Sequence, residues 1–246
     1  LQVAGLAPAL FAAQSEKLTA WRGVNLDLRA SVALRLDADF RPQRARFILG
    51  ADEGSFSGFG LYEKMPLPVK KLYAKGRVDI AGRGLQLDAL QADLGGPRAD
   101  LRGNLRFGQD GRYRAQLQAA LMQTPLDALA RYWPESLTPD PRWWVTTHLS
   151  KGTATKATLD TELLISPAPA EGTAAIELVK LGGVIDFEGI RVDYFPPLMP
   201  VDAVRGRATY NAERFDLAIT GGTLGDMKVS KSAIAITGLG DADPDK

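Results

Sequence analysis

Val24-Asn25-Leu26-Asp27-Leu28-Arg29-Ala30-Ser31-Val32-Ala33-Leu34-Arg35-Leu36 alternates without a break: the even positions are all apolar, and the odd ones are polar or charged apart from Ala33. A β-strand points successive side chains to opposite faces, so this period of two predicts a strand with one dry face and one wet face. Drawn out at about 3.3 Å per residue, the stretch would run about 43 Å, more than twice the usual strand. The sequence therefore predicts either a bend midway or an unusually broad sheet.

The same alternation recurs outward from this stretch. Ala45, Phe47, Leu49 and Ala51 form one apolar set, and Leu72, Ala74, Gly76, Val78 and Ile80 another. Ala99, Leu101, Gly103, Leu105 and Phe107 oppose Arg98, Asp100, Arg102, Asn104 and Arg106. Gln109-Asp110-Gly111-Arg112 then leads into Tyr113, Ala115, Leu117, Ala119 and Leu121, and Asp-Gly between two alternating runs predicts a hairpin. The pattern resumes at Ile190, Val192 and Tyr194, continues through Val204, Gly206, Ala208 and Tyr210, then Phe215, Leu217 and Ile219, and ends near Ile234 and Ile236. About a dozen strands joined by short turns make the chain mainly β, a long antiparallel meander with one polar and one apolar face.

Two places break the period. Residues from about Pro8 to Leu18 read as a short helix, with Pro8 suited to its first position. In the middle, Thr124 is a candidate N-cap, with Leu126, Leu129 and Tyr132 or Trp133 at helical spacing until Pro134. A second helix is predicted from Thr138-Pro139 through Trp143, Trp144 and Leu149 to Gly152. The expected organisation is a first β segment with its short helix over 1–123, a helical pair over 124–152, a second β segment over 153–240 and a frayed tail over 241–246. Lys75-Gly76-Arg77 followed by Gly95-Gly96 is echoed by Arg205-Gly206-Arg207 and Gly221-Gly222, a hairpin unit reused loosely.

Composition narrows the chemistry. Thirty Lys and Arg against 29 Asp and Glu leave a formal charge of +1, so no global field draws the chain to nucleic acid. No cysteine is present, which removes disulfides, thiolate metal sites and thiol nucleophiles together. A general base of the imidazole type is restricted to the single histidine, His148, which lies near Thr146, Thr147 and Ser150 outside any nucleophile-elbow context; a capping role at a helix C-terminus is the expected one. Asp241, Asp243 and Asp245 lack the glycine and bidentate glutamate of a calcium loop. Gly58-Phe59-Gly60 and Gly82-Arg83-Gly84 lack the lysine and hydroxyl of a phosphate loop, and Asp186 and Glu188 read as a solvated face. The chain is expected to be non-catalytic and to need no cofactor or metal. Trp133, Trp143 and Trp144 suit a stacking platform, but with Pro134, Pro139 and Pro141 around them they are expected to pin the helical pair onto the sheet.

The apolar stripe is then the candidate functional feature. A second sheet packed against it, a sheet curled around lipid acyl chains, and an outer-membrane barrel all produce the same alternation, although the helical insert and the lack of aromatic girdles count against the barrel.

Tyr132-Trp133-Pro134-Glu135-Ser136-Leu137, Pro139, Arg142, Trp144-Val145, Leu149 and Lys151-Gly152 resemble the central helical signature of the YhdP branch of the AsmA-like proteins. Phe187-Glu188-Gly189-Ile190-Arg191-Val192-Asp193-Tyr194, Pro196-Pro197-Leu198, Pro200-Val201, Val204 to Ala208, Phe215-Asp216 and Gly221-Gly222 are similar to the segment that follows it there. Upstream, Leu67, Leu72 to Gly76, Leu85 to Asp88 and Gly95-Gly96-Pro97 keep the same order. The resemblance implies the periplasmic portion of an inner-membrane-anchored protein of the Gram-negative envelope, a central section whose anchoring helix lies outside this chain. It implies a repeating β-groove that conducts phospholipid between the inner and outer membranes. The implied fold is an open groove or taco-like sheet. The partners it implies are phospholipid, further groove units of the same chain and envelope proteins.

The family carries over no catalytic residues, so groove positions are assigned from the alternation alone: Val24, Leu26, Leu28, Val32, Leu34, Leu36, Leu72, Val78, Ile80, Leu101, Leu105, Leu117, Ile190, Val192 and Val204. The competing expectation is a structural or adaptor domain that supports outer-membrane assembly, its apolar face sealed as a core.

Overall fold

A computed structural model describes residues 2–12, 21–57, 62–134, 139–166, 175–195 and 197–237. Its strands are β1 (Gln2–Leu6), β2 (Val24–Asn25), β3 (Leu28–Leu36), β4 (Pro42–Ala51), β5 (Gly54–Phe56), β6 (Leu67–Val69), β7 (Lys71–Asp79), β8 (Gly84–Asp93), β9 (Arg98–Phe107) and β10 (Tyr113–Pro125). After them come β11 (Leu149–Ser150), β12 (Thr153–Ser166), β13 (Ala175–Val192), β14 (Val201–Asn211), β15 (Arg214–Leu224), β16 (Met227–Val229) and β17 (Ser232–Thr237). The helices are α1 (Pro8–Ala12), α2 (Leu129–Tyr132) and α3 (Pro139–His148). The chain is mainly β, and its strands follow the order β1-β3-β4-β7-β8-β9-β10-β12-β13-β14-β15-β16 in one large antiparallel sheet that does not close on itself. Most neighbours in the sheet are neighbours in sequence, as a meander of short turns requires.

The long alternating stretch does not form one strand. Asn25 ends β2, Leu28 begins β3, and β2 joins β5 and β6 in a separate three-stranded sheet. The break falls at Leu26-Asp27, near the start of the stretch and not midway, where the chain passes from one sheet to the other. The Asp-Gly hairpin forms as read: Gly111 has φ +77°, the Arg112 N–H donates to Asp110 Oδ1 at 3.1 Å, and the Gly108 N–H donates to the Arg112 carbonyl at 2.7 Å.

The chain divides into two compact units, Leu1–Ala119 with Asp160–Val179 and Ala120–Leu159 with Lys180–Lys246, so β10, β12 and β13 each contribute to both.

In the first unit, the register stacks apolar residues into rows across five strands. Leu28, Ala51, Leu72, Ala92 and Ala99 form one row; Ala30, Leu49, Ala74, Leu90 and Leu101 the next. Val32, Phe47, Gly76, Leu87 and Gly103 form the third, and Leu34, Ala45, Val78, Leu85 and Leu105 the fourth. At about 4.8 Å between strands, each row is about 19 Å wide. A β-bulge at Asp88-Ala89 shifts the pairing of β8 by one residue, so Leu85 and Leu87 share a face with Leu90 and Ala92.

In the second unit, β13, β14 and β15 present Ile185, Phe187, Ile190, Val192, Val201, Val204 and Ile219 to a core that also holds Leu126, Leu129, Leu149 and Ala154. The helical insert therefore seals this apolar face. Left-handed backbone recurs near that core, on strands at Gln123, Gly189 and Ala203 and in the β11–β12 link at Lys151 and Gly152. The ladder shifts register between Phe187 and Ile190 and again between Asp202 and Arg205. Bulges interrupt the ladder and raise local strand twist, so regular pairing is broken at these positions.

Thr124 departs from its expected role. β10 runs through Pro125, the helical turn begins at Leu126 without a side-chain cap, and Thr124 is a buried strand residue. The last turn of α2 is held instead by Arg142 of α3, which donates to the carbonyls of Trp133 (2.8 Å) and Ala130 (3.0 Å). Two of the three tryptophans do not pin the insert: Trp143 is 63% exposed and Trp144 is exposed beside it, whereas Trp133 is half-buried. The predicted N-terminal helix is described only over α1; residues 13–20, Gly58 to Gly60 and the tail 241–246 lie outside the described residues.

Candidate functional site

The apolar rows of the first unit differ in cover. Ala51 is 1% exposed, and Ala74 and Ala92 are buried, whereas Leu34 is 58% exposed, with Leu36, Ile80 and Leu85 exposed around it. Chain connectivity explains the gradient. β2 ends three positions before β3 begins, β5 begins three positions after β4 ends, and β6 ends two positions before β7 begins. Short links therefore fix the three-stranded sheet, with its buried Val24, Leu26 and Val69, at the Leu28–Ala51–Leu72 end of the rows. At the opposite end, the fourth row is partly open: Leu34 and Leu85 are exposed, and Ala45, Val78 and Leu105 are half-buried.

Small residues shape that face. A β-carbon on Gly76 would stand 2.7 Å from Phe47 Cζ, and one on Gly103 2.7 Å from Leu117 Cδ2. The larger neighbours thus lie across the glycines and cover backbone that has no side chain of its own. At the open end, Phe107 and Tyr113 meet edge to face with centroids 4.9 Å apart, and the Arg83 guanidinium sits 4.3 Å from the Phe107 ring centre.

The other face of these strands is charged. Arg29 pairs with Asp52 at 2.9 Å and Arg77 with the bulge residue Asp88 at 3.2 Å. Arg35 lies directly across from Arg44, and Arg46 across from Arg77. Among the described residues, no group of three metal-ligating side chains converges, and no helix is long and apolar enough to cross a membrane. His148, the last residue of α3, holds the Asp193 carbonyl with Nδ1 at 2.7 Å, so that nitrogen carries the proton; its own carbonyl accepts the Asp193 N–H at 2.8 Å. The ring ties the helix to the end of β13 and lies between Trp143 and Trp144, 5.7 and 5.4 Å away.

The expected groove residues fall into three places. Val24 and Leu26 belong to the covered end. Leu28, Val32, Leu34, Leu36, Leu72, Val78, Ile80, Leu101, Leu105 and Leu117 belong to the strands of the first unit, with Leu34, Leu36 and Ile80 exposed. Ile190, Val192 and Val204 belong to the sealed core of the second unit, where Val204 is 2% exposed. Sequence reasoning missed Leu85, Leu87 and Leu90, because the bulge at Asp88-Ala89 breaks their parity. The signal was present as two short apolar alternations offset by one residue. No protein-family model, no curated protein and no solved structure matches the chain.

Proposed function

We propose that this chain is a β-groove section that shields phospholipid acyl chains, a non-catalytic carrier surface acting without cofactor or energy source. The observation that carries the reading is the uncovered end of the apolar rows, where Leu34, Leu36, Ile80 and Leu85 stand exposed on a sheet whose other face is charged. Soluble chains rarely leave contiguous apolar surface open to water without a partner for it. Each methylene of an acyl chain taken up there gains about 0.8 kcal/mol, and the headgroup stays in water beyond the last row.

The resemblance to the YhdP branch of the AsmA-like proteins supports the wider setting: a periplasmic section of an inner-membrane-anchored protein that passes phospholipid toward the outer membrane, in series with further groove units. The test is mass spectrometry of organic extracts from the purified chain, with Leu34→Asp and Leu105→Arg beside it. Phospholipid in the parent and none in the folded variant is expected; equal lipid in both, or none in either, rejects the reading.

The second reading, a structural or adaptor domain with a closed core, is favoured by the second unit, where the insert fills the apolar face with Leu126, Leu129 and Leu149.

A further inference from the structure

The tip of the β3–β4 hairpin joins three features that folding alone does not require. Phe40 is 82% exposed and has φ +60°, a left-handed conformation that a bulky residue adopts at a cost. The turn holds it there firmly. Asp37 Oδ1 accepts the N–H groups of Asp39 (3.0 Å) and Arg41 (2.9 Å), Asp37 Oδ2 accepts Gln43 Nε2 (2.7 Å), and the Asp37 N–H donates to the Arg41 carbonyl (3.0 Å). Behind the tip, Arg35 faces Arg44 across the ladder and Arg46 faces Arg77, and directly opposed like charges destabilise a sheet. Lys75 shares that face, and Asp79 stands directly across from Arg44 on its other side. The Asp79 carboxylate accepts the Gly82 N–H, and among the described residues Arg35, Arg44 and Arg46 make no ion pair. A rigid turn thus presents an aromatic ring at a loss in backbone energy, and guanidiniums that outnumber the carboxylate beside them stand directly behind it.

We propose that the β3–β4 hairpin docks on the surface of an anionic phospholipid bilayer, with Phe40 entering the interfacial zone and Arg35, Arg44 and Arg46 engaging lipid phosphates. Guanidinium forks match phosphate oxygens, and an anionic surface supplies countercharge beyond what Asp79 alone provides to this cluster. This goes beyond the acyl-chain reading: it concerns the hairpin tip and the charged face, and it holds whether or not the apolar rows carry a lipid.

The experiment is flotation of the full chain with phosphatidylcholine vesicles and with vesicles containing phosphatidylglycerol, at low and high salt. Binding is expected only to the anionic vesicles and is expected to weaken with salt. Phe40→Gly relieves the strained backbone and is expected to raise the melting temperature while lowering partitioning roughly tenfold. Arg35→Gln with Arg44→Gln removes the repulsion, keeps the fold and lowers partitioning roughly thirtyfold. Equal binding to neutral vesicles, no binding at all, unchanged partitioning in stably folded variants, or retention on heparin without vesicle binding each overturn the proposal. Lipid extraction from the same samples reads the acyl-chain proposal separately.

Discussion

The ring of Phe47 on β4 lies across Gly76 on β7, so close that a β-carbon on the glycine would stand 2.7 Å from Phe47 Cζ. The second unit repeats the pairing in register: Phe187 on β13 is paired with Gly206 on β14. The two Lys/Arg-Gly-Arg motifs that echo one another in sequence thus each set a glycine opposite a phenylalanine. At Gly76 the ring supplies contacts that the missing side chain does not, whereas the atoms nearest Gly206 are the backbone of Ala218 and Ile219.

Gly76→Ala should therefore destabilise the chain by about 1–3 kcal/mol, the range for overpacking a filled site. Phe47→Leu in the same chain should recover part of that loss and no more, because the Gln86 carbonyl also crowds the added methyl. Urea unfolding of the two single variants and the double variant measures the coupling. Additive effects would show that ring and glycine do not touch in solution.

Truncation should separate the covered from the uncovered apolar residues. Leu126→Ala, in the sealed core of the second unit, should cost about 2–5 kcal/mol, whereas Leu34→Ala, in open solvent, should stay within about 0.5 kcal/mol. Denaturant midpoints decide the matter, and a large loss at Leu34 would mean that its end of the face is covered.

Ala203 holds φ +53° within β14. The left-handed region costs an L-residue with a β-carbon roughly 1–2 kcal/mol, of which glycine's larger unfolded-state freedom cancels a part. Ala203→Gly is expected to raise stability by about 0.5–1 kcal/mol, seen as a higher urea midpoint with an unchanged slope. A lower midpoint would count against the left-handed assignment.

Acid should weaken the fold through its paired aspartates. The Arg207 guanidinium, bidentate on Asp186 at 2.6 and 3.0 Å, holds that carboxyl below its ordinary 3.8, and Arg214 does the same for Asp216. The Arg41 N–H lowers Asp37 and the Arg112 N–H lowers Asp110. A carboxyl whose folded pKa is depressed contributes stability above its unfolded value and loses it as pH falls through the folded one. The melting temperature should then be level above about pH 5 and decline below about pH 4, with a shallower decline in Asp186→Asn. A flat profile down to about pH 2 would contradict the pairings.

Much of the fold could be read from residue order, because a period of two has one structural meaning wherever it is sustained. Val24 to Leu36, Ala99 to Phe107 and the Asp110-Gly111 turn all said antiparallel strand, and antiparallel strands formed. What escaped were features that leave the alternation intact or interrupt it by one residue. Leu26-Asp27 alternates like its neighbours, yet the chain leaves one sheet there for another. Asp88-Ala89 adds a single position and moves Leu90 and Ala92 across the parity line, onto the face of Leu85 and Leu87. Cover was the least legible property: Leu34 and Val204 look alike in sequence, and only the three-stranded sheet and the helical insert decide which face stays open. Phe40 carried no signal at all, since no glycine marks its left-handed turn.

The left-handed positions Gln123, Lys151, Gly152, Gly189 and Ala203 are spread over separate segments of the chain. A substitution at any one of them would change how firmly the domain holds together and leave the backbone irregularity of the others in place. Irregularity shared in this way is inherited as a set: removing it would take coordinated changes on separate segments, which makes it more durable than the identity of any one residue that carries it.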